Sequence, residues 1–242
     1  MRNIKLVLEY DGTDFYGWQW QPKGRTVQGT VQSALKQLLR EKVKLIAAGR
    51  TDAGVHALGQ VANFRTRSEL SEETIRQGLN YYLPHDVVVV EAAEVEDAFH
   101  ARYSAVKRTY RYKISTRPRA IGRQFFWRCP YELDVEKMQE ASACLRGEHV
   151  FTAFCKPNKE EPHYLCNVET AEWREEEDTV VFEITANRFL HHMVRILVGT
   201  LVDVGRGKLR PDEVQAILES GDRHRAGFVA PAAGLFLTKV HY

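Results

Sequence analysis

Residues 47–64 read AAGRTDAGVHALGQVANF, and this stretch decides the fold. Residues 43–48 favour a short apolar strand, and the residues after the middle of the stretch alternate like a second strand. The turn between the two strands holds Gly49 and Gly54, and glycine allows backbone conformations that a Cβ atom forbids. Asp52 lies in that turn, where an aspartate often bonds its own backbone. The pattern therefore predicts two strands joined by a turn that carries its polar side chains into a cleft.

The segment GRTDAGVHA at residues 49–57 resembles the signature of the tRNA pseudouridine synthases of the TruA family. Further segments similar to that family follow along the chain from Tyr10 to nearly the C-terminus, so the resemblance covers one whole protein. In that family the aspartate at the position of Asp52 is the nucleophile. The resemblance implies an enzyme that isomerises uridine to pseudouridine in tRNA.

The composition is typical of a globular protein that has one large domain or two small ones. The chain has 242 residues, of which 44% are hydrophobic and 27% are charged. The N-terminus does not resemble a signal peptide, and no apolar run approaches membrane length. The four cysteines form no C-x-x-C pair. A zinc site at Cys155, His163 and Cys166 is therefore less favoured than free buried thiols in a reducing cytoplasm.

A net charge of +2 does not by itself indicate a nucleic-acid-binding protein, but the charge is unevenly distributed. Residues 98–131 contain nine basic residues, no acidic residue, and six aromatic residues between them. This composition is typical of a surface that tracks phosphates and stacks on bases. An ordinary basic strand is the alternative. The basic residues are Arg102, Lys107, Arg108, Arg111, Lys113, Arg117, Arg119, Arg123 and Arg128.

Apolar periodicity predicts a β-α-β-β-α-β order in the first part of the chain. Ile4 begins a first alternating strand, and Thr26 caps a helix that follows it. After the two strands around the motif, Ser71 caps a second helix, whose predicted core-facing residues include Tyr82. A strand at residues 86–95 completes the order, which suggests a ferredoxin-like half with helices on one face of a mostly antiparallel sheet.

The second part of the chain contains the same kinds of elements, including its most apolar helix, predicted at residues 189–204. We therefore predict an α+β protein with one half at residues 1–98 and the other at residues 99–242. The resemblance implies two ferredoxin-like halves that form a mixed, mostly antiparallel central sheet. It also implies helices on one face of that sheet and an RNA-binding cleft on the other.

Pseudouridine formation needs a nucleophile, a group that keeps it ionised, and a ring on which the base can stack. Asp52 is the candidate nucleophile, since a carboxylate can form a covalent intermediate. A buried carboxylate without a cationic partner takes up a proton, and Arg195 is a lone charge in an apolar segment. By resemblance Arg195 pairs with Asp52, although an arginine that snorkels to solvent is the alternative.

Three further residues match positions that bind substrate in the family. By resemblance Arg50 helps to extrude the target nucleotide, because a base must leave its stack before it reacts. Tyr110 would stack on the uracil, whereas Tyr112, on the same strand face, is better suited to the core. Leu235 would pack against the base, and Phe236 stands where the family commonly has a tyrosine.

No cofactor or metal is expected. His191 and His192 are adjacent on the predicted apolar helix, and adjacent helical side chains point about 100° apart, which is poor geometry for one ion. His56 is not assigned a proton-transfer role.

The leading hypothesis is a cytoplasmic, cofactor-independent isomerase that binds tRNA. By resemblance it acts at nucleotides 38 to 40 of the anticodon stem-loop, as a homodimer that does not associate with membranes. An RNA-binding protein without catalytic activity is one alternative, and for it Asp52 would be dispensable. A glycosidic-bond hydrolase is another, but most such enzymes use two carboxylates and the motif supplies one.

Overall fold

The computed structural model describes residues 1–157 and 163–242. Within these ranges there are ten strands and five α-helices, which form two compact units. Unit 1 comprises Met1–Val106 and Phe236–Tyr242, and unit 2 comprises Lys107–Leu235. Unit 1 therefore extends beyond residue 98, and it includes nearly all of the last strand, which the prediction from the sequence places in the second half.

Unit 1 has the predicted β-α-β-β-α-β order, to which the last strand is added. Its strand order is β4-β1-β3-β10, and the short β2 also pairs with β3. All pairs are antiparallel except β3 with β10, which is parallel. The elements are β1 Arg2–Tyr10, α1 Val27–Leu39, β2 Ile46–Ala47, β3 His56–Thr66, α2 Glu72–Tyr82, β4 Val87–Val95 and β10 Leu235–His241.

The predicted helix caps of unit 1 are confirmed. The Thr26 side chain accepts from the backbone N–H of Gly29, and Ser71 accepts from Thr74. These bonds satisfy donors that the first turn of a helix leaves without partners. Helix α2 packs on α1 and on β4, and buries apolar residues between them. Tyr82, however, is 39% exposed, so its predicted core position is wrong.

The strand predicted at residues 43–48 is shorter in the structure and consists only of Ile46–Ala47. It pairs with Ala62 and Asn63 of β3, while β10 pairs with His56 and Ala57 of the same strand. The local apolar pattern could not predict that the last strand would also pair with β3. The turn at residues 48–55, called the motif turn below, thus lies between a very short strand and the start of a long one.

Unit 2 contains an antiparallel sheet in the order β5-β9-β8-β7, and β6 runs parallel to β5. Helix α3 begins after the predicted cap Asp134 and packs on β8, where the indole nitrogen of Trp173 donates to the Ser142 hydroxyl at 3.0 Å. The elements are β5 Lys107–Ser115, β6 Trp127–Arg128, α3 Val135–Ser142, β7 Gly147–Val150, β8 Leu165–Glu176, β9 Thr179–Ala186, α4 Met193–Gly205 and α5 Pro211–Ser220.

Helix α4 is the buried centre of unit 2, because its residues from Met193 to Gly205 are all buried except Arg195. A helix that is apolar on all sides belongs in a core. The α+β class, with mixed and mostly antiparallel strands, is confirmed. Among the described residues, no helix is both long enough and apolar enough to cross a membrane.

Candidate active site

The motif turn joins β2 to β3, and the residues on either side of Asp52 are fixed by hydrogen bonds. The Tyr10 hydroxyl lies 2.8 Å from the Thr51 hydroxyl, and the Gln60 amide donates to the Gly49 carbonyl at 3.0 Å. Within the turn, the backbone N–H of Val55 donates to the carbonyl of Asp52. The Asp52 side chain is half-buried. The turn therefore holds this carboxylate on a backbone anchored to two strands.

The loop after β1 supports the same turn from the other side. Trp18 N–H donates to the Thr51 carbonyl at 3.0 Å, and Gly54 N–H donates to the Phe15 carbonyl at 3.2 Å. Gly17 has φ +86°, and a Cβ atom on it would lie 2.6 Å from the Thr51 oxygen. Only glycine fits this approach, since a side chain would push the loop off the turn.

Only one of the two glycines of the motif requires its conformational freedom. Gly54 has φ +77°, a left-handed conformation. Gly49 does not have a positive φ, and a Cβ atom on it would meet nothing within 4 Å. The sequence pattern treated the two glycines alike, and the backbone distinguishes them.

His56 is a structural residue of the turn. Its ring is 1% exposed, and Nδ1 accepts from the backbone N–H of Gly12 at 2.9 Å. An acceptor Nδ1 is a feature of a neutral imidazole, so we do not treat its 3.2 Å approach to Asp11 as an ion pair. The ring also stacks on Phe236 at 4.7 Å between centroids. These contacts tie the end of the motif to β10.

Arg50 is exposed on the motif turn, two residues before Asp52. An exposed guanidinium next to the candidate nucleophile is available to an anionic ligand such as a phosphate. Arg50 and Asp52 are the two predicted site residues of unit 1, and the turn brings them together. The other three, Tyr110, Arg195 and Leu235, belong to unit 2.

The two tyrosines of β5 differ in the way that the sequence predicted. Tyr112 is fully buried, and its hydroxyl donates to the Pro231 carbonyl at 2.7 Å. Tyr110 is half-buried, and it packs edge-to-face with Phe189 at 4.9 Å between centroids. Tyr112 is therefore a core residue, and Tyr110 keeps part of its ring accessible.

Arg195 lies in the first turn of α4, where its guanidinium Nε donates to the Ala230 carbonyl at 2.7 Å. The N–H of Ala230 returns a hydrogen bond to the Arg195 carbonyl at 3.0 Å. The segment that contains Ala230 approaches the helix closely, since a Cβ atom on Gly199 would lie 1.9 Å from the Phe228 oxygen. Arg195 is thus oriented by a specific backbone partner, an arrangement that the snorkelling alternative does not include.

Leu235 begins β10 and is 5% exposed. The preceding Gly234 packs closely on β5, because a Cβ atom there would lie 2.7 Å from both the Lys113 carbonyl oxygen and the Tyr112 ring. Strand β5, which carries both tyrosines, therefore holds Gly234 and the start of β10 in place.

The histidine pair is located differently from the prediction. Helix α4 begins at Met193, and His192, with φ +63°, precedes it in a left-handed conformation. The predicted start at residue 189 is wrong, because the chain turns at His192 before the helical hydrogen bonds begin. His191 and His192 are therefore not helical neighbours, and their ring centroids lie 4.2 Å apart.

The basic run at residues 98–131 is partly neutralised within unit 2. Lys107 lies 2.8 Å from Glu169, and Arg111 lies 2.9 Å from Glu183. Arg117 lies 2.5 Å from Asp178. The acids come from β8, β9 and the turn between them, which the sequence places far from the basic residues. Several of these cations are therefore already paired with acids, which favours the ordinary-strand alternative for that part of the run.

A glycine-rich turn that presents a half-buried aspartate, in a β-α-β-β-α-β unit of an α+β protein, is typical of the pseudouridine synthases, a class of RNA-modifying isomerases. Comparison with known proteins identifies the family. A family model described as tRNA pseudouridine synthase matches residues 6–104 and 141–242. The chain therefore belongs to the tRNA pseudouridine synthase family, whose members are isomerases that convert uridine to pseudouridine.

Full-length relatives agree with this assignment. The chain is 46% identical over 244 residues to a tRNA pseudouridine synthase A of Thermoanaerobacter sp. (strain X514), with 100% of both chains covered. It is 47% identical to the protein of that name from Acetivibrio thermocellus, again over 100% of both chains. For the Bacillus pumilus protein of that name the identity is 44%, over 99% of this chain and 98% of the relative.

Proposed function

We propose that this chain converts uridine to pseudouridine at positions 38, 39 and 40 of the tRNA anticodon stem-loop, with Asp52 as the nucleophile. The observation that carries the proposal is the motif turn, which holds the Asp52 carboxylate half-buried between two anchored strands. The family to which the chain belongs supports the reaction type. The enzyme works in the cytoplasm, as a homodimer and without a cofactor.

The reaction breaks the bond between the ribose C1′ and N1 of uracil and forms a bond from C1′ to C5. The proton on C5 is lost and N1 gains one, so the change is an isomerisation that needs no oxidant or energy source. A carboxylate nucleophile divides this exchange into two easier steps through a covalent intermediate. Asp52 supplies that carboxylate, and either the sugar or the base is a possible first point of attack.

Arg195 is the proposed cationic partner of Asp52. A carboxylate in a closed site stays ionised only when a positive charge or hydrogen-bond donors stabilise it. The bond from Nε of Arg195 to the Ala230 carbonyl fixes the plane of the guanidinium. A planar guanidinium with a fixed orientation suits two-point pairing with a carboxylate.

The remaining proposed roles concern the substrate. Tyr110 stacks on the uracil with the accessible part of its ring, and Leu235 packs against the same base. Arg50 contacts the phosphate backbone and helps to keep the nucleotide out of the stem. These residues supply binding and orientation, and Asp52 supplies the bond-making group.

Pseudouridine mapping tests the proposal. Incubation of an unmodified tRNA that has uridine at 38, 39 and 40 should introduce pseudouridine at those positions, and Asp52→Ala should introduce none. The Asp52→Ala variant should still bind tRNA, and its affinity should fall by about tenfold or more over a few-fold rise in salt, because basic residues make the phosphate contacts.

Three outcomes would contradict the proposal in different ways. Near-normal modification by Asp52→Ala would remove the proposed nucleophile. Free uracil among the products would favour a hydrolase. Pseudouridine at other positions only would leave the reaction intact and reject the anticodon stem-loop. The homodimer is tested separately by sedimentation, which should give twice the chain mass of 27.8 kDa.

A further inference from the structure

We propose that Tyr16 and Trp20 form a stacking platform for nucleobases of the tRNA that flank the target uridine. This inference rests on the proposed function and extends it to two residues outside the catalytic turn. Both side chains lie in the loop between β1 and α1, and both are mostly exposed, at 63% for Tyr16 and 58% for Trp20. The two rings are four residues apart on one loop, and each presents a flat surface on which a base can stack.

Each ring rests on a glycine. The Tyr16 ring covers Gly24, where a Cβ atom would lie 2.5 Å from the ring. The indole of Trp20 lies against Gly29 in the first turn of α1, where a Cβ atom would lie 3.1 Å from it. Each glycine thus supports one side of a ring and leaves the remaining surface to solvent. A ring held on one side and open on the other suits base stacking, because it loses little side-chain freedom on binding.

The loop is ordered by its own hydrogen bonds. Tyr16 N–H donates to the Arg25 carbonyl at 2.8 Å, and the Gln21 amide donates to the Tyr16 carbonyl at 3.0 Å. Trp20 N–H donates to the Gln28 side chain at 2.9 Å, and the Gln28 amide donates in turn to the Leu45 carbonyl. The backbone that carries the two rings is therefore fixed before any ligand arrives.

The charge of this part of unit 1 matches an RNA ligand. From Phe15 to Arg40 the chain has four basic residues and no acidic residue, and one acid, Asp14 or Glu41, flanks the segment at each end. One of them, Arg25, is paired with Asp86 and covers the Phe15 ring at 4.1 Å. Lys23, directly before Gly24, is exposed. An apolar protein partner would not need this excess of positive charge, whereas a nucleic acid does.

The platform adjoins the candidate nucleophile. Gly17, next to Tyr16, makes the close approach to the carbonyl of Thr51, and Trp18 N–H donates to that carbonyl. Bases that stack on the loop would therefore lie beside the motif turn while the target uridine reaches Asp52. This position assigns Tyr16 and Trp20 to binding and positioning of the tRNA, with no part in bond-making.

Tryptophan fluorescence tests the inference directly. Trp20 is the most exposed of the four tryptophans, because Trp18 and Trp173 are buried, at 2% and 7%, and Trp127 is half-buried. Base stacking quenches an indole, so addition of tRNA should lower the emission of the wild-type chain. Most of that quenching should be lost in Trp20→Phe, which keeps an aromatic ring and should keep most of the affinity.

Affinity measurements supply the second test. Tyr16→Ala and Trp20→Ala should each weaken tRNA binding by roughly fivefold to a hundredfold, the range seen when a stacking ring is removed. The dependence of affinity on salt should not change, because stacking releases no counterions. KM should rise more than kcat falls. Tyr81→Ala is the matched control, since Tyr81 is 83% exposed on α2 of the same unit and should have no effect.

Two results would overturn the platform while leaving the proposed function intact. One is unchanged affinity in Trp20→Ala and Tyr16→Ala while Asp52→Ala abolishes pseudouridine formation. The other is equal quenching in wild type and Trp20→Phe. Conversely, pseudouridine formation that persists in Asp52→Ala would reject the proposed nucleophile without bearing on the quenching. The two proposals can therefore fail separately.

Discussion

Asp52, on the motif turn, and Asp203, in helix α4, are two aspartates whose positions are set in different ways. Asp203, in α4, is 1% exposed, and its carboxylate lies 2.7 Å from Arg206 and 2.9 Å from Lys208. Both cations are within five residues of it in the chain. Asp52 is held through its backbone and its neighbours, by Tyr10, Gln60 and the loop that contains Gly17.

This difference separates a structural acid from the proposed nucleophile. A buried carboxylate that pairs with two nearby cations is costly to remove, because the cations lose their counter-charge, and no substrate can approach it. The Asp52 carboxylate is half-buried on a turn whose backbone is fixed by hydrogen bonds, and a fixed position is what a reacting group needs.

Replacing each aspartate by asparagine tests the difference between them with the largest expected effect. Asp52→Asn should lower the rate of pseudouridine formation by roughly a thousandfold or more, because the amide is a poor nucleophile, with little change in the free energy of unfolding. Asp203→Asn should lower that free energy by about 2 kcal/mol and keep the rate at 25 °C within a few-fold. Single-turnover assays and denaturant titrations measure both. Equal rate losses in the two variants would end the distinction.

Changing the glycine that supports the turn tests whether the backbone positions Asp52. Gly17→Ala places a Cβ atom 2.6 Å from the Thr51 oxygen at φ +86°, so the turn must shift. A displacement of about 1 Å can cost roughly a hundredfold in rate, and we expect a loss of that order. Gly49→Ala is the matched control, since it meets nothing within 4 Å. If the two variants reacted at the same rate, the backbone support would be irrelevant.

The dependence of stability on alkaline pH tests the role of Tyr10, whose hydroxyl bonds to Thr51 of the motif turn. Burial raises the pKa of the Tyr10 hydroxyl from 10.0 to about 12, while its hydrogen bonds to Thr51 and Gln60 act in the opposite direction. The protonated Tyr10 hydroxyl makes its full contribution to the free energy of unfolding below pH 10, where the unfolded chain also keeps the proton. This contribution is lost as the pH rises from about 10 to about 12, by about 2–3 kcal/mol at most.

Denaturant titrations between pH 9 and pH 12 measure this loss. Tyr10→Phe should make the free energy of unfolding fall less steeply with pH, by at most the slope that one proton contributes. Tyr81→Phe, at an exposed tyrosine, should leave this slope unchanged. A decline of the same slope in Tyr10→Phe would show that the buried hydroxyl does not contribute to it.

The two tyrosines of β5 give the smallest expected effect. Tyr112→Phe removes the hydrogen bond to the Pro231 carbonyl and should cost about 1 kcal/mol in the free energy of unfolding. Tyr110→Phe should leave that free energy nearly unchanged and act on the reaction instead. Thermal unfolding and pseudouridine assays on both variants distinguish the core ring from the ring proposed to contact substrate.

Features that depend on neighbouring residues were predictable from the sequence. The caps at Thr26, Ser71 and Asp134 are confirmed, because a capping side chain reaches a backbone N–H only two or three residues away. The assignment of Tyr112 to the core is also confirmed. Strand alternation places it on the same face as Tyr110, so the different burial of the two rings depends on the packing around each of them. The start of α4 was missed because a left-handed residue such as His192 has no reliable local signal.

The sequence by itself determined the motif turn, the helix caps, the α+β class and the family, since these follow from short-range patterns and from a nine-residue signature. Only the tertiary structure decided that β10 shares an edge of β3 with β2, that Ala230 orients Arg195, and that acids from β8 and β9 neutralise part of the basic run. These contacts join residues dozens of positions apart. No local periodicity encodes which distant groups meet when the chain buries its apolar surface.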